Sequence, residues 1–269
     1  MIKEEAISIQ VEDKITLRGR VYREPHAHKP LLILCHGLPP APAEKKPDPV
    51  EEDGGYPALA RRCAQALSIP VFHFNFRGTG ESGGDFDLSG WRRDLTAFLD
   101  YWEQGESVSD FILWGFSAGG AVSACVAASD PRVKILILAA SPAGFRELFP
   151  PEGLPELLTR FRATGIIRDS DFPPDPAQWL ENIYAADPAL HLSGFAPRPL
   201  LIVHGSGDEL IPLRHAFKLF HAAKAGRQLR ILPGAIHQLR KEEKAIETCL
   251  EWLRGIMQNA ECKMQNHKR

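Results

Sequence analysis

Residues 111–122, FILWGFSAGGAV, leave the chain few ways to fold. An uninterrupted apolar run gives way to G-x-S-x-G and then at once to small residues with a helical continuation. Such a run suits a strand covered on both faces of a parallel sheet. Gly115 and Gly119 flank a serine on a sharp turn, where a Cβ on either neighbour would strike the adjoining strand or helix. Strand, turn and helix in immediate succession lift the Ser117 hydroxyl above the sheet edge. The helix N-terminus beneath it favours developing negative charge.

The same rhythm recurs along the chain. Apolar runs at 31–35, 71–76, 135–139, 200–203 and 229–232 alternate with helical patterns at 57–67, 91–102, 118–128, 214–223 and 242–257. This alternation predicts an α/β fold, with a mostly parallel sheet and right-handed crossovers that place helices on both faces. Upstream, 6–11 and 15–22 alternate apolar and polar residues around Glu12-Asp13-Lys14, which predicts an antiparallel hairpin at a sheet edge. Two segments break the rhythm. Residues 39–53, PPAPAEKKPDPVEED, read as an extended surface loop. Residues 142–198 exceed one crossover and carry helical spacing at 154–161 and 177–185. They read as a small helical cap inserted into a single domain spanning 1–269, too short to hold a core of its own.

Composition narrows the functional classes. A net charge of -2 gives no reason to expect a nucleic-acid or polyacidic partner. No stretch approaches the roughly 20 apolar residues that span a bilayer, so no membrane insertion is expected. The charged start, Met1-Ile2-Lys3-Glu4-Glu5, does not resemble a signal peptide. Five cysteines without a C-x-x-C pair suggest free thiols and a cytoplasmic location. The polar tail around Lys263, His267, Lys268 and Arg269 reads as a frayed end. Monomer and homo-oligomer both remain open.

A serine hydroxyl is a poor nucleophile without a base and an acid to orient that base. Asp208 lies on the loop after the apolar run at 200–203, and His237 occupies the same relative place after the next run. Glu209 is the alternative acid. His204 reads as a buried structural histidine and His73 as a packing residue, while the helical pattern puts His215 and His221 on the surface. The developing oxyanion needs two donors. The N–H of Ala118 and that of Leu38 are the candidates, since Pro39 and Pro40 cannot donate. His36, Gly37 and Trp179 are candidate substrate contacts. With Trp179, the residues Phe149, Leu154, Leu157, Phe161 and Leu180 offer apolar cover for a small acyl group, and they serve equally well to dock the cap. The Gly-rich stretch at 74–84 lacks the spacing of a dinucleotide or Walker loop and reads as a turn. No cluster has zinc-ligand spacing, so no metal is expected.

HG at His36-Gly37, RGTGES at 77–82, GFSAG at 115–119, HGSGDELIP at 204–212 and His237 together resemble the α/β-hydrolase superfamily over 31–257. The short cap and the HGSGD segment are similar to esterases, acyl hydrolases, and serine aminopeptidase-like or dienelactone hydrolase-like members. The resemblance implies the α/β-hydrolase fold with an eight-stranded, mostly parallel sheet, no cofactor and an acyl-enzyme mechanism. It implies cleavage of a carboxylic ester, or a related acyl bond, of a small-molecule acyl substrate. Acyl transfer, thioester or aminopeptidase-like amide cleavage, and ligand binding with little turnover are the alternatives. Ser117 departs from the aspartate nucleophile of epoxide hydrolases and haloalkane dehalogenases. It departs equally from the cysteine of the dienelactone subgroup, and HGLPP departs from the HGGG of many lipases.

Overall fold

The computed structural model describes residues 1–11, 14–25, 30–39 and 55–266, with side chains as far as 259. Apart from Pro39, the loop expected at 39–53 lies outside the described residues. The chain opens with the expected hairpin, in which β1 (Lys3–Gln10) pairs antiparallel with β2 (Thr16–Arg23) from Lys3↔Arg23 to Gln10↔Thr16. Next come β3 (Leu31–Cys35), α1 (Gly55–Leu67), β4 (Val71–Asn75), α2 (Leu88–Glu106), β5 (Phe111–Phe116), α3 (Ala118–Ser129) and β6 (Val133–Ala139). Between β6 and the next strand lie α4 (Leu154–Ala163), α5 (Pro176–Ala185) and the single turn α6 (Pro188–His191). The chain then forms β7 (Leu200–Gly205), α7 (Arg214–Ala222), β8 (Arg227–Leu232) and α8 (Glu243–Asn266). The last helix continues past Met257, where the sequence pattern ends it, into the tail expected to fray.

All eight strands form one sheet in the order β1-β2-β4-β3-β5-β6-β7-β8. The strands β3 to β8 run parallel, while β2 meets β4 antiparallel. Alternate residues of each buried strand supply opposite cores, as a two-residue side-chain period requires. Ile33, Leu113, Leu136 and Ile202 join Trp91, Leu95 and Phe98 of α2 on one face. Leu32, Leu34, Ile112, Trp114, Ile137 and Val203 join α1 and α8 on the other. Every residue of α3 from Ala118 to Ala127 is buried, which explains its small side chains. At the sheet edge, β8 exposes half of its residues and carries Arg227 and Arg230, charges that discourage edge-to-edge pairing.

The apolar residues between β6 and β7 dock onto the body of the fold. Phe149, Leu157, Phe161, Trp179 and Leu180 are buried in the same core as α2 and α3, and Leu154 packs against them. No helix among the described residues is long and apolar enough to cross a membrane.

Candidate active site

At the end of β5 the backbone of Ser117 takes φ 52 and ψ -125, outside the regions an L-residue prefers. Its N–H donates to Ala139 O at 2.9 Å, and its own carbonyl starts α3 by accepting from Gly120 and Ala121. Two close approaches make this turn possible. A Cβ on Gly119 would lie 2.2 Å from the His36 carbonyl oxygen and 2.5 Å from that of Cys35. A Cβ on Gly37 would lie 2.8 Å from Ser117 Cβ. The β3 exit loop and the serine turn therefore touch through glycine. Gly119→Ala is expected to cost about 1–3 kcal/mol or more, because both obstacles are backbone atoms that cannot swing away. That outweighs the roughly 1 kcal/mol of helix propensity that alanine adds. A denaturant midpoint equal to that of the parent protein would contradict it.

Two further loops rise from the same edge of the sheet. Asp208 follows β7, with its side chain wholly buried. Its Oδ1 accepts from the N–H groups of Leu210 (3.1 Å) and Ile211 (2.8 Å), which leaves Oδ2 to face His237. His237 follows β8. Its Nδ1 lies 2.9 Å from Asp208 Oδ2 and its Nε2 lies 3.1 Å from Ser117 Oγ. Glu209 is exposed and makes neither contact. In the tautomer that donates from Nδ1 to the carboxylate, Nε2 is free to accept the serine proton. The arrangement can thus move a proton off Ser117 and stabilise the imidazolium that results. Among the described residues, no acceptor partners the backbone N–H of Leu38 or of Ala118.

His36 and Trp179 do not meet the expectation that they contact substrate. His36 is buried, its Nδ1 donating to Gly37 O at 2.7 Å and its Nε2 accepting from the Phe76 N–H at 3.1 Å. The Thr79 hydroxyl also lies 3.1 Å from Nε2. The ring latches the β3 exit to the loop after β4, leaving neither nitrogen for a ligand. That loop is itself anchored by the buried Arg77–Asp94 ion pair at 2.8 Å. Trp179 is spent on packing between Phe86 and Phe161, with its Nε1 donating to Phe86 O at 3.2 Å. Gly37 alone of the three reaches the serine. His215 also departs from expectation, being buried on α7 with Nδ1 accepting from the Ala143 N–H at 3.1 Å. His221 is exposed, as expected. Tyr56 and Arg240 carried no sequence signal. Tyr56 packs against His36 and Phe116 at 6.1 and 5.7 Å, with the Arg240 guanidinium 5.5 Å from its ring centre.

Burial pulls the His36 imidazole down to about 4, against the raising effect of its bond to the Gly37 carbonyl. Burial, aided by the nearby His36 and Arg20, does the same to His73, also to about 4. Both rings are neutral when folded at pH 7, whereas in the unfolded chain they take up protons near pH 6.5. Their contribution to stability is full above pH 6.5 and is lost as pH falls from about 6.5 toward 4. The urea midpoint is expected to drop between pH 7 and pH 5. A flat profile across that interval would count against both assignments.

Residues 63–260 match the prolyl oligopeptidase family, a span that includes Ser117, Asp208 and His237. The chain belongs to that family. It has the α/β-hydrolase fold and lies within the α/β-hydrolase superfamily. Among curated relatives, YfhR of Salmonella typhi is 28% identical over 63% of this chain and 55% of its own, so the chain spans little more than half of that relative. A monoacylglycerol lipase of Mycolicibacterium smegmatis is 25% identical over 79% of this chain and 82% of its own. In three dimensions, the structure of DcsB in complex with its substrate analogue aligns with a TM-score of 0.71 at 20% identity. That alignment covers 96% of this chain and 99% of DcsB.

Proposed function

We propose that the protein is a serine hydrolase that cleaves a carboxylic ester of a small molecule through an acyl-enzyme. The observation that carries the reading is the hydrogen-bonded line from Asp208 through His237 to Ser117, with the serine held at φ 52 over the start of α3. His237 takes the Ser117 proton as Oγ attacks the carbonyl, while Asp208 fixes the imidazole tautomer and stabilises its charge. The N–H groups of Leu38 and Ala118 receive the oxyanion. His237 then protonates the leaving alcohol, and water clears the acyl group by the reverse sequence. These steps need no cofactor.

The residues between β6 and β7 act in this reading as a cap over 142–198 of a single domain. Their large apolar side chains hold the cap down, so the substrate meets the mouth of the site rather than the cap interior. The relationship to a monoacylglycerol lipase supports an ester over other acyl bonds. The buried free thiols of Cys35, Cys63, Cys125 and Cys249 suit a reducing, cytoplasmic setting. Treating the protein with a fluorophosphonate and mapping the adduct tests the mechanism. Labelling at Ser117 is the expected result, and labelling elsewhere or none would refute it. Matched ester and aminoacyl-amide substrates separate the esterase from a peptidase-like activity.

A further inference from the structure

His204 stands next to the last residue of β7 with no exposed surface, four residues before Asp208. Its Nε2 lies 2.7 Å from the Ile211 carbonyl oxygen and 3.5 Å from Asp208 Oδ2. A carbonyl can only accept, so Nε2 carries the ring proton. Nδ1 is then a bare lone pair, buried and without a partner among the described residues. A second proton at Nδ1 would have nothing to donate to in a site closed to water, which keeps the ring neutral. Burial, more than any neighbour, also holds the imidazole below its ordinary range, against the Ile211 carbonyl and then Asp208, with His237 assisting. From α7 the facing group is His215, itself held down first by burial.

The same residues form a closed circuit. Ile211 donates its N–H to Asp208 Oδ1 and accepts the His204 Nε2–H on its carbonyl. The turn 208–211 is thereby held at both ends, by the carboxylate from within and by the imidazole from the strand beneath. Asp208 Oδ2 lies between two imidazoles, with His237 Nδ1 at 2.9 Å and His204 Nε2 at 3.5 Å. A neutral ring on the strand side contributes an N–H dipole without a competing full charge, so the carboxylate's charge stays directed at His237.

We infer that His204 is a positioning residue for the acid, a neutral imidazole that clamps the 208–211 turn and aims Asp208 Oδ2 at His237. This rests on the Ser117–His237–Asp208 reading above. Loss of the clamp lets the carboxylate drift from His237, and displacements of about 1 Å at a reacting group cost on the order of 10²-fold in rate.

Three measurements on the full chain test it. In the unmodified protein, proton–nitrogen correlation spectra should find His204 neutral and protonated at Nε2 at pH 7. The Nδ1–H tautomer or a charged ring would overturn the inference without any variant. His204→Leu should lower kcat for an ester about 10²-fold with KM unchanged, and should shift or broaden the His237 Nδ1–H resonance. His204→Gln places an amide N–H where Nε2 stood, and should restore most of kcat and that resonance. A folded His204→Leu protein with parental kcat and an unmoved His237 resonance would overturn the assignment. So would a glutamine variant that folds but rescues neither. Should the leucine variant fail to fold, the glutamine variant and the parental tautomer decide. Failure of fluorophosphonate to label Ser117 in the parent removes the underlying reading as well, whereas labelling with an indifferent His204 removes this inference alone.

Discussion

Ser117→Ala is expected to lower kcat for ester hydrolysis about 10⁶-fold while leaving the denaturant midpoint close to that of the parent. The two halves of this expectation rest on separate observations. Catalysis through an acyl-enzyme has no route without Oγ, because the His237 Nε2 at 3.1 Å is then left with no proton to take. Stability is spared because the Ser117 side chain caps no backbone N–H of α3, so the helix loses nothing. Alanine also bears the same backbone cost as serine at φ 52, since both carry a Cβ. Glycine at this position would lose the same activity and relieve that cost. Kinetics and urea melts on the two variants would separate chemistry from strain. Residual turnover above a few parts per thousand of the parental rate would point to a different nucleophile.

Asp208→Asn is expected to lower kcat about 10⁴-fold at neutral pH. Asparagine is nearly isosteric, and its carbonyl can still accept from Leu210 and Ile211, so the turn keeps its bonds. Its amide nitrogen then faces His237 Nδ1 and donates where the carboxylate accepted. This drives the proton to Nε2, the atom that must be bare to receive the proton of Ser117. The loss therefore comes from the wrong tautomer rather than from displaced atoms. Glu209→Gln is the matched control and should leave kcat unchanged, because Glu209 is exposed beside the site without touching His237. Equal losses in the two variants would reassign the acid.

The fold was legible where local pattern decides structure. Continuous apolar runs become buried parallel strands, and 111–122 holds strand, turn and helix in one stretch. The places of Asp208 and His237 after successive strands are readable from the sequence, and the structure sets the two side chains 2.9 Å apart. What escaped depends on partners far away in sequence. The role of His36 is set by Phe76, 40 residues on, and that of Trp179 by Phe86, 93 residues back. On an amphipathic helix His215 reads as a surface residue, but the N–H of Ala143, 72 residues earlier, bonds its ring and buries it. A periodicity can show that a side chain faces inward, but not whether it ends in a ligand pocket or in packing.

The hydrogen bond between Ser117 and His237 joins positions 120 residues apart, and that between Asp208 and His237 joins positions 29 apart. Each residue stands at the end of a different strand, and only the finished sheet brings them level. A collapsed chain with helices formed but β7 and β8 undocked would contain every reactive group and no reactive site. The molecule is therefore silent during its own assembly. In a refolding experiment, ester turnover should trail the recovery of helical circular dichroism and coincide with the last step of sheet closure. Activity then serves as a clock for that step.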